Sequence, residues 1–184
     1  MSTNQSSDRE ENAIVLDYLS HGYHDDNDPT PLVQVVGTSG YKLLELIPKE
    51  DTSFSLQDDV YIGRGERPNI KHVKRKLPHD DLTSAAKGEL EHAIRSIVED
   101  KEDEYVNFFN NAQPISTRSH VLQMLPGVGK KHLQSILDER HYEDFSSYDD
   151  LSERVQALND PVGILTKRII GEIKGEEKRN LFAK

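Results

Sequence analysis

The sequence has no cysteine, which excludes a disulfide framework and any zinc site built on thiolates. It has no apolar run near the roughly 18–20 residues that cross a bilayer. Its first residues, 1–12 (MSTNQSSDREEN), lack the basic-then-apolar layout of a signal peptide and read as a disordered polar tail. Neither a Walker loop nor a nucleophile elbow occurs. What is present is 184 residues, 34% hydrophobic and 30% charged. That length allows one generous core or two small ones, and the composition suits a soluble cytoplasmic protein.

Positive charge is also in short supply. The net charge is −10, which repels a polyanion at long range. The charge is unevenly placed, however. Between residues 61 and 79 six basic residues (Arg64, Arg67, Lys71, Lys74, Arg75, Lys76) meet one acid, Glu66. Contact energetics at moderate salt are set within about 10 Å, so the patch counts for more than the total.

Along the chain the hydrophobic period changes once. AIVLDYL (13–19), LVQVVGT (32–38), YKLLELIP (41–48) and DDVYIGRG (58–65) read as short strands. Only Ser39 and Gly40 separate the second and third, the mark of a tight hairpin. IKHVKRKL (70–77) fits a helical stripe or a fifth strand equally well. These strands suggest a small barrel or curled sheet. Thr83 then caps a helix with Ala86, Leu90, Ile94 and Ile97 on its apolar face, and EDKEDE (99–104) breaks it. Tyr105, Val106, Phe108 and Phe109 resume the apolar face until Gln113-Pro114. Ser116 or Thr117 is expected to cap a short helix through Met124, and the remainder reads as helical.

Residues 125–137 (LPGVGKKHLQSIL) carry the sharpest motif. Pro126 stops an incoming helix, Gly127 can take the positive φ of a sharp reversal, and Val128 is an apolar plug. Gly129 opens the next helix without a side chain. The first N–H groups of that helix have no internal acceptors and face outward at the positive end of its dipole, where an anion fits. Lys130 and Lys131 add charge. A phosphodiester suits this geometry, and nothing in it reads bases. The bland alternative is a turn that only joins two helices.

Leu122, Leu125, Pro126, Gly127, Val128, Gly129, Lys130, Lys131 and Ile136 resemble the helix-hairpin-helix motif, with Leu133 where that family more often has Ala. The resemblance implies backbone binding through the N–H groups around Gly129 to His132. It also implies a monovalent cation on the carbonyls of Gln123, Leu125 and Val128. A degenerate second copy follows at DPVG, with Gly163, Lys167 and Arg168 as phosphate candidates. In the front half Tyr61, Arg64, Arg67, Lys71, His72, Lys74, Arg75 and Lys76 form a second candidate face, since basic residues there mix with aromatic and imidazole rings. A solvated basic strand is its simpler explanation.

LDYLSHG, PLVQVVG, LLELIPK, VYIGRGER, HVKRKL, DLTSAAKGEL, FFNNAQPI and LPGVGKKHLQSILDER together resemble an archaeal family catalogued as domain of unknown function 655. The resemblance covers most of residues 13–175 and implies an α+β chain with an RNA-binding role. A small OB-like β-barrel would occupy 13–80, connecting helices 81–112 and an all-α helix-hairpin-helix domain 113–176, with polar tails at 1–12 and 177–184.

No enzyme is expected. Asp144, Asp149 and Asp150 follow the hairpin, but without the Gly-Pro-Asp context of the glycosylases that share the motif. His21, His24, Asp25, Asp26 and Asp28 are competent metal ligands, yet their spacing matches no established site. Two functions remain. One is a non-enzymatic nucleic-acid-binding protein, for structured RNA before DNA and with no membrane role. The other is a protein-interaction adaptor docking a basic ribosomal or RNA-processing partner.

Overall fold

The computed structural model describes residues 8–184. The chain is α+β, and it divides into two compact units: residues up to Ile94 together with Ile169–Lys184, and Arg95–Arg168. The first seven residues of the expected tail lie outside the described residues.

The first unit is built on five antiparallel strands: β1 (Asn12–Leu19), β2 (Leu32–Gly37), β3 (Leu43–Pro48), β4 (Asp59–Tyr61) and β5 (Ile70–Lys76). Their order is β4-β1-β2-β3-β5. The sheet is curled but open, for no β4–β5 ladder occurs among the described residues. The segment 70–77, which sequence left between helix and strand, is β5. It pairs with β3 from Leu44↔Lys76 to Pro48↔Ile70, and two register shifts interrupt the ladder. Those bulges break the inside-outside alternation that would have marked it as a strand. One face of the sheet buries Ala13, Val15, Val33, Val35, Leu44, Leu46, Val60, Ile62 and Ile70. The opposite face buries Ile14, Leu32, Val36 and Leu43, together with the polar pair Gln34 and Glu45, which are register partners on β2 and β3.

The β2–β3 connection is not a two-residue turn. The Gly37 N–H donates to the Lys42 carbonyl at 2.8 Å, and Tyr41 rather than Gly40 takes the positive φ, at 57°. The loop is shaped by Glu10. Its carboxylate is buried and accepts N–H bonds from Ser39 at 2.8 Å, Gly40 at 2.7 Å and Lys42 at 3.2 Å. Residues 8–12 are therefore not the disordered tail that their polarity suggested: Asp8 pairs with Lys42 and β1 begins at Asn12. The closing segment 177–184 is likewise engaged. Glu172 Oε1 accepts the N–H groups of Leu181, Phe182 and Ala183 at 2.8–3.0 Å.

Helices α1 (Ser84–Asp100), α2 (Glu102–Asn111), α3 (Lys130–Tyr142), α4 (Tyr148–Arg154) and α5 (Pro161–Ile173) complete the chain. Thr83 caps α1 as its sequence implied, its hydroxyl accepting from the Ala86 N–H at 3.1 Å. The expected boundaries at 80/81 and 112/113 are not those of the structure, because α2 is bonded into the second unit. The Asn110 side chain bonds both the N–H and the carbonyl of Phe145, Arg140 reaches the Phe109 carbonyl, and the Tyr148 hydroxyl donates to the Val98 carbonyl.

Candidate nucleic-acid interface

The turn before α3 is built locally. No helix precedes it, only one 3-10 turn over Val121–Met124. The expected cap at Ser116 or Thr117 is displaced by His120, whose Nδ1 accepts from the Leu122 N–H at 3.1 Å while its own N–H donates to Gln123 at 3.0 Å. Leu125 is extended ahead of Pro126. The Val128 N–H closes the turn on the Leu125 carbonyl at 3.2 Å, and that bond already uses one of the three oxygens considered for a cation. Gly127 takes φ +79° and Val128 is buried, both as the motif required. His132 Nδ1 donates to the Gly127 carbonyl at 2.6 Å, so this imidazole fastens the turn while its backbone N–H stays with the helix end.

Gly129 is the N-cap of α3, extended at φ −89°, ψ −169°, and no side chain caps the helix. A Cβ at Gly127 or at Gly129 would meet nothing within 4 Å, so the backbone here can be approached closely. Lys130 and Lys131 are exposed and the first turn carries no acid. Its neighbours differ. Ser147 caps α4. α2, also uncapped, has Glu102, Asp103 and Glu104 in its first turn. At α5 the Asp160 carboxylate accepts the Gly163 N–H at 3.1 Å.

That last contact corrects the second hairpin copy. Asp160 sits where a phosphate would sit, gripped by Arg95 through two bonds at 3.0 and 3.3 Å. The Arg95 pairing and the Gly163 N–H hold its pKa below the usual carboxylate range. A Cβ on Gly163 would lie 2.2 Å from Asp160 Oδ2, so this glycine admits an internal carboxylate. Arg168 is 4% exposed and its guanidinium donates to the Met124 carbonyl at 2.9 Å. It is buried in the protein and braces the segment ahead of the 125–129 turn. Lys167 is exposed.

The basic face of the first unit is thinned in the same way. Tyr61 lies against the 63–65 turn, its hydroxyl accepting from the Gly65 N–H at 3.0 Å. Arg67 donates to the Gly63 carbonyl at 2.8 Å. Arg75 is paired with Glu45 at 2.9 Å and Asp81 at 3.1 Å, and Lys74 reaches Glu45 at 3.8 Å. Arg64, Lys71, His72 and Lys76 are exposed. Among the described residues no three His, Asp or Glu side chains come together to hold a metal, and His21, His24 and Asp25 to Asp28 lie in an exposed loop.

A family model matches residues 9–184. The chain belongs to the family described as Protein of unknown function (DUF655). The uncharacterized protein MJ0038 of Methanocaldococcus jannaschii is 41% identical over 170 residues, 92% of this chain and 77% of that one. The crystal structure of Af1531 from Archaeoglobus fulgidus, of the same DUF655 family, superposes with a TM-score of 0.89 at 42% identity, over 95% of this chain and all of that one.

Sequence reasoning on this DUF655 chain missed His120 and Arg154. Arg154 stacks on the Phe145 ring at 4.5 Å, donates to the carbonyls of Glu139, Glu143 and Asp144, and pairs with Asp150. It thereby caps the carboxyl end of α3. His120 is buried, and its Nε2 has no partner. Burial, reinforced by the Arg140 guanidinium, holds its pKa below the ordinary 6.5. The unfolded chain therefore binds a proton that the folded chain refuses, and stability declines as pH falls below about 6.5. Thermal unfolding followed by circular dichroism should show this decline between pH 7 and 5. His120→Asn, which keeps a capping acceptor but cannot titrate there, should flatten it. An unaltered pH profile would exclude His120 as its source. The carboxylates Asp150 and Asp160, whose pKa values are lowered, act in a separate window below about 3.8.

Proposed function

We propose that the chain is a non-enzymatic nucleic-acid-binding protein that grips the phosphate backbone of a structured RNA. The grip is a helix-hairpin-helix-like turn at residues 125–132, assisted by the exposed cations of an OB-like β domain, Arg64, Lys71, His72 and Lys76. One observation carries the reading: the amino end of α3 is uncapped, free of acids in its first turn, open at Gly129 and flanked by two exposed lysines. Unsatisfied N–H groups, the helix dipole and fixed cations together favour an anion. Such contacts read backbone shape more than sequence, which suits structured RNA.

Salt response tests the proposal. Backbone binding should weaken linearly in log-log form with salt, and Lys130→Ala with Lys131→Ala should make the slope shallower by about 1–2. Fluorescence anisotropy on an RNA stem-loop and a DNA duplex over a salt series measures it. Binding that ignores salt, or no binding to either polymer beside firm capture of a basic protein, would turn the assignment to the adaptor.

A further inference from the structure

A cavity of about 670 Å³ opens beside the turn, between the 114–120 loop and the first turns of α3. Its volume falls in the range of small-ligand sites, roughly 300–1,000 Å³. Its walls contain Arg118 and Lys130 and no acid, in a chain whose net charge is −10. The loop that presents Arg118 is braced internally. The Ile115 N–H donates to the Ser119 carbonyl at 2.8 Å, the Ser116 and Ser119 hydroxyls meet at 2.8 Å, and the Arg118 N–H reaches Ser116 at 3.2 Å. Across the cavity Lys130, Leu133 and Gln134 share one face of α3, as positions three and four apart do. Pro114 and Leu133 give it apolar wall.

His120 supplies an independent observation. It lines this cavity and is only 5% exposed. Its Nδ1 accepts a backbone N–H, so in the neutral ring Nε2 carries the hydrogen. That Nε2–H is the one buried side-chain donor without a partner among the described residues. Such a donor calls for an acceptor, and the cavity that the His120 ring lines is where one can enter.

We infer that this cavity receives one unpaired nucleotide of the strand whose phosphate sits at the amino end of α3. Lys130 belongs to both places, so the strand passes from one to the other. Arg118 and Lys130 take the phosphate. The wall of Pro114 and Leu133 takes the flat apolar face of the base, and Gln134 and the His120 Nε2–H offer hydrogen bonds to its edge. The inference rests on the backbone grip proposed above and adds a preference for a junction between paired and unpaired strand.

The test uses the full chain and two RNA stems, one blunt and one with a short unpaired overhang. Anisotropy should show the overhang bound about tenfold more tightly. Arg118→Glu, at an exposed position, should reduce the overhang to the affinity of the blunt stem. The His120 imidazole resonance should move with the overhang and not with the blunt stem. Equal affinities with an unmoved imidazole, while Gly129→Asp still abolishes blunt binding, would overturn the nucleotide site and leave the backbone grip standing. An imidazole shift with nucleoside 5′-monophosphates, when neither stem binds, would overturn both the strand and the grip, and make the cavity a site for a free nucleotide.

Discussion

Gly129→Asp is expected to lower nucleic-acid affinity by at least about tenfold while leaving the fold intact. The two halves of that expectation have separate physical grounds. Gly129 has φ −89°, a value that any residue adopts, and its Cβ would point into open space. Aspartate is a favoured N-cap residue, so the helix itself should gain rather than lose. The new carboxylate would accept the same N–H groups that are proposed to hold a phosphate and would place a negative charge against the approaching backbone. A variant with an unchanged or raised melting temperature and lost binding separates function from folding, which few substitutions do. Full affinity in the folded variant would remove this helix end from the mechanism.

The structure already contains an internal version of that substitution. At α5, Asp160 accepts the Gly163 N–H and is itself paired with Arg95. The helix end is thereby neutralised by the protein's own carboxylate, and its outward claim on an anion is spent. Asp160→Asn should therefore affect stability more than nucleic-acid affinity, the reverse of the pattern expected at Gly129. Two helix starts with similar glycines therefore present different ends to an anion.

What sequence could supply was local. Gly127 and Val128 in LPGVG, Thr83 ahead of the first helix, and the short apolar runs of β1 to β3 each act within a few residues, where sterics and hydrogen bonding decide. What it missed was decided by partners far along the chain. Ser39 and Gly40 looked like a two-residue turn because nothing nearby revealed that Glu10, some thirty residues away, would accept three loop N–H groups. Arg168 looked like an exposed cation until the Met124 carbonyl, 44 residues away, accounted for its burial. Arg75 was counted as a nucleic-acid contact because the carboxylate that holds it lies on another strand. Two signals were available and unread: Gln34 in LVQVVG and Glu45 in LLELIP are polar residues inside apolar strands, and such residues are buried only with partners.

Glu45→Ala should destabilise the first unit by about 3 kcal/mol, a fall in melting temperature of roughly 10–15 °C. Glu45 has no exposed surface. It accepts from the Tyr23 hydroxyl and from Arg75. Tyr23 in turn accepts from Gln34, which bonds the Asp81 carbonyl and receives the Thr83 N–H. Thr83 bonds Asp17 at 2.6 Å and caps α1. The carboxylate thus joins the central strands to the start of the helix, and removing it takes the acceptor from the half-buried Tyr23 hydroxyl on which Gln34 rests. The ion pairs weigh less, because the Arg75 and Lys74 side chains are 44% and 45% exposed and water screens them. Burial and the Glu45 carboxylate raise the Tyr23 pKa, so Glu45→Gln should bring it back toward 10 while keeping most of the shape. Ultraviolet titration of the tyrosines measures that return. The same variant releases Lys74 from its acid and leaves Arg75 paired with Asp81 alone. If β5 touches nucleic acid, Glu45→Gln should bind more tightly at low salt than the wild type. Equal binding would leave the amino end of α3 to hold the backbone alone.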